Sequence, residues 1–116
     1  MPHLIVEYSD NLKADVNINS LMQEMHQALD GKYNIASNRI KARAIKLTDY
    51  IVGDHGANAF MMHVTLKLMQ GRTVEAQKEL SSLLQNIART HITTDAYPGS
   101  AITVEVVELI TATYCP

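Results

Sequence analysis

Cysteine is almost absent: the one thiol, Cys115, stands next to the last residue, so no disulfide can close within the chain and no thiol pair can hold a metal. A reducing compartment fits. Basic charge is not in excess, with 10 Lys and Arg against 12 Asp and Glu and a formal net charge of -2. That excludes a generally basic nucleic-acid surface and confines useful positive charge to a local cluster. The amino-terminal segment has no secretory pattern, because Leu4, Ile5 and Val6 run straight into Glu7. No apolar run approaches the roughly 20 residues of a membrane helix. A cytoplasmic protein without membrane or nucleic-acid partners is expected. His3, His26, His55, His63 and His91 are scattered without ligand spacing, so no metal site is expected.

What is present is a hydrophobic share of 47% in 116 residues, enough for one compact domain over 1–116 and too little chain for two cores. Residues 2–8 alternate, with Leu4, Val6 and Tyr8 on one side and His3, Ile5 and Glu7 on the other, the period of a strand. Leu21, Met22, Met25, Ala28 and Leu29 fall at helical spacing within 17–30, with Asn17 or Asn19 as cap and Gly31 as terminator. Residues 39–47 read as a second strand, and a loop holding Gly53 and Gly56 follows. A third strand over 59–69 puts Phe60, Met62, Val64, Leu66 and Leu68 on one face and His63, Thr65 and Lys67 on the other. Thr73 caps a second helix, striped by Leu80, Leu83, Leu84 and Ile87 and ending near His91. A turn at Tyr97-Pro98-Gly99-Ser100 precedes a last strand over 101–109.

The order is strand, helix, strand, given twice. It predicts an α+β fold: a duplicated βαβ unit forming a four-stranded mixed sheet with two helices on one face. Right-handed crossovers make the strands parallel within each half, and a pseudo-twofold makes the two first strands antiparallel neighbours. Parallel pairing sets Arg39 beside the edge where Pro2 begins strand one. Antiparallel pairing brings Arg72 there from the end of strand three. Pro2, Arg72 and the Arg39, Lys41, Arg43 alternation are therefore predicted to converge on one edge. So small a domain also leaves strand edges and one sheet face open unless partners cover them.

The opening Pro2-His3-Leu4-Ile5-Val6-Glu7-Tyr8-Ser9-Asp10-Asn11-Leu12 resembles the start of 5-carboxymethyl-2-hydroxymuconate isomerases, a branch of the tautomerase superfamily. His63-Val64-Thr65-Leu66-Lys67 with Gly71-Arg72 is similar to the family's third strand and its arginine. The resemblance spans essentially the whole chain. It implies a homotrimer of duplicated subunits, a catalytic amino-terminal proline, no cofactor, and a small carboxylate substrate from aromatic degradation. Pro2 becomes a secondary amine only after Met1 is removed. An α-amino group titrates at roughly 7.7 to 8.0, and desolvation with Arg72 and Arg43 nearby would lower that value toward the range a general base needs. Arg72 is assigned the substrate carboxylate and the charge of a dienolate.

The family's second arginine falls on Lys41 here, which supplies charge without a planar fork, so the clamp could pass to Arg39 or Arg43. The carboxyl end, 110–116, is shorter than in many relatives. Plainer readings stand beside these. Arg72 could be a solvated residue ahead of a helix, the Arg39, Lys41, Arg43 alternation a wet strand face, and His63 a packed or interfacial residue. Two other functions compete: a promiscuous tautomerase of small keto acids, and a catalytically silent trimeric binding protein of the same fold.

Overall fold

Apolar side chains at alternate positions need a dry layer on one side only, and the chain supplies that layer with two amphipathic helices. The computed structural model describes residues 1–12, 16–92 and 99–116. Its elements are β1 (His3–Ser9), α1 (Ile18–Leu29), β2 (Lys41–Leu47), β3 (Met61–Met69), α2 (Val74–His91) and β4 (Ala101–Leu109). The sheet runs β2-β1-β3-β4, parallel within each half and antiparallel between β1 and β3, as the duplicated unit requires. Leu4 and Val6 of β1, Met62, Val64, Leu66 and Leu68 of β3, and Ile102 of β4 are buried against Leu21, Met25 and Leu29 of α1 and Leu80, Leu84 and Ile87 of α2. Truncating any fully buried Leu of this set is worth about 2–5 kcal/mol.

Helix ends follow local chemistry. The Asn17 side chain accepts from the Ser20 N–H and Thr73 does the same for Ala76, each satisfying a donor the helix cannot. Asn19 lies inside α1, so Asn17 is the cap. Gly31, with φ +78°, turns the chain just past α1, where a Cβ would be disfavoured. The turn expected at 97–98 lies outside the described residues. Among those residues no helix is long and apolar enough to cross a membrane.

The second strand starts later than the sequence pattern suggests. Ser37–Arg39 is a tight turn, in which Arg39 N–H donates to Ala36 O at 3.0 Å and Ile40 N–H to Ser37 O at 3.1 Å. The ladder to β1 opens with His3 opposite Lys41, since Pro2 has no N–H to donate to the segment before it. Arg39 is therefore a turn residue. Lys32–Asn34 forms another tight turn, in a stretch without hydrophobic period.

The duplication repeats at the level of single hydrogen bonds. Lys41 N–H donates to Pro2 O at 2.9 Å and Ala101 N–H to Phe60 O at 3.0 Å; Asp10 N–H donates to Leu47 O and Gln70 N–H to Leu109 O, both at 3.0 Å. Pro2 and Phe60 thus hold equivalent places in the two halves.

Candidate active site

Pro2 enters the sheet on the same side as Leu4 and Val6, the side facing the helices, and is buried. Beside it is a cavity of about 180 Å³ lined by Met1, Pro2, Arg39, Leu68, Met69, Arg72 and the Asn34–Ala36 segment. The start of β1, the end of β3 with Arg72 just beyond it, and the irregular stretch between α1 and β2 make this pocket. Antiparallel pairing carries Leu68 and Met69 past His3, which faces Lys67, so the chain leaves β3 at the Pro2 corner and Gly71, at φ +121°, turns it to deliver Arg72.

Arg72 is half-buried and held by the backbone. Its Nε donates to Tyr33 O at 3.1 Å and its Nη1 to Met69 O at 3.2 Å, while the Arg72 carbonyl accepts Gln77 Nε2 at 3.1 Å. A guanidinium carries five N–H donors in one plane, so these two contacts fix that plane and leave donors for an anion in the cavity. Arg39 reaches the same cavity from its turn.

The amine at this corner sits in a field that opposes protonation. The Met1 ammonium donates to Arg39 O at 3.0 Å, and its pKa is lowered from 8.0 by desolvation first, then by the charges of Lys41 and Arg39. A cation held among cations and partly stripped of water favours its neutral form. With Met1 in place the Pro2 nitrogen is an amide without a basic lone pair.

Lys41 and Arg43 of β2 are placed differently. Lys41 is in register with His3 and Arg43 with Ile5, so both stand on the sheet face away from the helices, opposite the cavity side, and neither lines the pocket. Arg43 Nη1 meets His3 Nδ1 at 3.2 Å, and His3 Nε2 meets Tyr114 Oη at 2.9 Å. Because guanidinium can only donate, Nδ1 accepts and the neutral ring carries its proton on Nε2, toward Tyr114. The His3 pKa is lowered by burial, then by the terminal ammonium, Arg43, Lys67 and Lys41. On the same face His63 meets Thr103 Oγ1 at 2.7 Å and Glu105 Oε1 at 3.1 Å, a strand-to-strand contact.

The cavity therefore unites Pro2, Arg72 and Arg39 of the sequence-predicted set and leaves Lys41 and Arg43 behind the sheet, with Lys41 acting on the terminal amine through charge alone. Tyr33 and Asn34 were not legible as site residues. Their only sequence signal is a polar, aperiodic stretch after Gly31. Among the described residues, a larger cleft of about 470 Å³ near Tyr8, Asn17 and Ala44 is lined by no cation and no amine, whereas the smaller cavity holds two guanidinium groups.

Comparison with known proteins bears on the fold and the family. The family model described as 5-carboxymethyl-2-hydroxymuconate isomerase matches residues 2–114. The chain is 28% identical over 93 residues to 5-carboxymethyl-2-hydroxymuconate Delta-isomerase of Escherichia coli, covering 78% of this chain and 72% of that one. It is also 28% identical to a 5-carboxymethyl-2-hydroxymuconate isomerase from Deinococcus radiodurans R1 of known crystal structure, with a TM-score of 0.86 over 99% of this chain and 87% of that one. A structure described as a fused 4-OT wild type symmetric trimer shares the fold, with a TM-score of 0.79 at 18% identity over 98% of this chain and 90% of that one.

Proposed function

Because the chain belongs to the 5-carboxymethyl-2-hydroxymuconate isomerase family, we propose that it is an isomerase that moves one proton along a conjugated hydroxydienoic acid, with Pro2 as general base. The observation that carries this reading is the shared cavity: the buried Pro2 position, Arg72 and Arg39 line one pocket. Once Met1 is removed, the Pro2 ring nitrogen takes the proton from the enol hydroxyl of the substrate. An O–H bond breaks, an N–H bond forms, and negative charge spreads through the dienolate. Arg72, oriented by two carbonyls, holds a substrate carboxylate and the developing charge. The proline ammonium then gives its proton to a carbon further along the conjugated chain, restoring the base. No electrons leave the substrate, so the step asks for no redox partner.

The field around the amine suits this role. Burial, Lys41 and Arg39 lower the pKa of the Met1 ammonium at this corner, and the same charges would act on a Pro2 amine freed by Met1 removal, raising its share of free base near neutral pH. Arg39 supplies a second guanidinium at the cavity, and Lys41 and Arg43 supply potential from behind the sheet. A trimer is the assembly proposed, since β2 is an unpaired sheet edge and the helix-free face leaves Ile45 44% exposed. A neighbouring copy would cover both. With its only thiol exposed, the chain suits the reducing cytoplasm.

A pocket of about 180 Å³ is below the roughly 300–1,000 Å³ usual for ligand sites. This observation favours a second reading, a small keto-enol acid such as phenylpyruvate as substrate. The deciding measurement pairs intact mass with ultraviolet turnover. Protein lacking Met1 is expected to turn over a hydroxymuconate or phenylpyruvate enol, and protein retaining Met1 to be inert. Equal rates for the two forms would remove Pro2 from the mechanism, and no turnover by the processed form on either substrate would leave a silent binding protein.

A further inference from the structure

We infer that Tyr33 is a positioning residue for Arg72, held in its conformation by Glu79. The inference rests on the role proposed above for Arg72 but adds a device belonging to another part of the chain. Tyr33 has φ 45° and ψ 45° and Asn34 has φ 66°, two successive residues in the left-handed region. Asparagine tolerates that region, whereas a bulky aromatic residue rarely enters it. Such a conformation persists only where its surroundings over-determine it. Here they do so from three sides. Gly31 N–H donates to Ile35 O and Ile35 N–H to Lys32 O, both at 2.8 Å, and the Tyr33 hydroxyl donates to the Glu79 carboxylate on α2.

The consequence falls on a carbonyl. In this turn the Tyr33 oxygen meets Arg72 Nε at 3.1 Å, while the Met69 oxygen meets Nη1 at 3.2 Å. One carbonyl would let the planar group swing about its contact; two from separate segments hold it in one orientation beside Pro2. The Glu79 latch thus ties α2 to the guanidinium through the Tyr33 backbone. An ordered guanidinium loses less freedom when a carboxylate binds, so its benefit is realised in the ground state and the transition state alike.

The test uses processed, Met1-free protein with Y33F, E79A and E79Q. NMR exchange of the Arg72 Nε–H with solvent reads the contact without any substrate. Exchange is expected to quicken about tenfold or more in Y33F and E79A, the scale of one lost hydrogen bond, and to stay near wild type in E79Q, whose amide oxygen still accepts from the hydroxyl. With a hydroxydienoic acid substrate, the same two variants are expected to raise KM several-fold with kcat within about twofold, E79Q to recover, and E79A to add nothing in an R72A background. Unchanged Nε–H exchange in both Y33F and E79A overturns the inference, as does an E79A effect that persists fully without Arg72. A processed wild type that turns nothing over, with the exchange series as expected, sinks the proposed reaction and supports the latch.

Discussion

At one corner of the sheet the Pro2 carbonyl accepts Lys41 N–H at 2.9 Å; at the corner related by the duplication the Phe60 carbonyl accepts Ala101 N–H at 3.0 Å. The backbone is nearly the same and the side chains are opposite in kind. Phe60 has no exposed surface and its N–H is taken by Ser100 Oγ at 2.9 Å. The chain leaving the neighbouring strand differs in step: Gln70 is followed two residues on by Arg72, and its counterpart Asp10 by Leu12, which packs on the core. Asn11 closes that second corner by donating to Ala57 O at 3.1 Å and Ala59 O at 2.9 Å. One corner is thus filled and internally satisfied, and the other keeps a cavity with unspent N–H donors. The fold offers two equivalent corners, and in the proposed mechanism the secondary amine of Pro2, freed of Met1, makes the first of them the site.

The largest expected effects come from exchanging what each corner contributes. P2A in the Met1-free protein should lower kcat/KM by about 10²–10⁴, the range of general-base catalysis, with little change in a denaturant melt. F60A should do the reverse, losing about 3–5 kcal/mol of stability through lost burial and cavity formation while the folded fraction keeps its kcat. If F60A proved kinetically dead yet fully stable, the two corners would not divide chemistry from packing as described. Next in size, R72A should reduce kcat by about 10²-fold, as removal of a charge-stabilising donor does. R72K should recover only part, since an ammonium cannot satisfy the Tyr33 and Met69 carbonyls and a carboxylate in one plane.

A smaller effect sharpens the electrostatic side of the contrast. The Met1 ammonium has its pKa lowered by burial and then by Lys41 and Arg39; if the same field acts on a Pro2 amine freed of Met1, activity should rise with pH through a limb below the ordinary value of about 8. R39A and K41A should each move that limb upward, toward the ordinary value, and a pH profile of kcat/KM that stays put would remove these two charges from the tuning. The smallest effect concerns His3, whose pKa is lowered below 6.5 chiefly by burial. The unfolded chain then binds the proton first, so stability should be complete above about 6.5 and decline as pH falls from there toward the folded value. Melts of H3Q should lack that decline.

Element order and type were legible because both periods, of two and of 3.6, run through strands and helices with few interruptions. The meeting of Pro2 with Arg72 was legible for the same reason, since it follows from strand direction alone. The start of β2 was not, because Arg39 continues the alternation of Lys41 and Arg43 in sequence while having no strand opposite it in space. Nor was the turn at Tyr33, where left-handed backbone at an aromatic residue leaves no signature in composition.

By itself the sequence determined the strands, the helices and the strand directions, and hence that Pro2 and a guanidinium share one corner. Only the tertiary structure decided which cations face the cavity. A strand's side chains alternate between faces, so it is the pairing of His3 with Lys41 that sends Lys41 and Arg43 behind the sheet, and the turn before it that leaves Arg39 in front. Register and turn geometry are settled by hydrogen bonds between distant segments, and those exist only once the chain has folded.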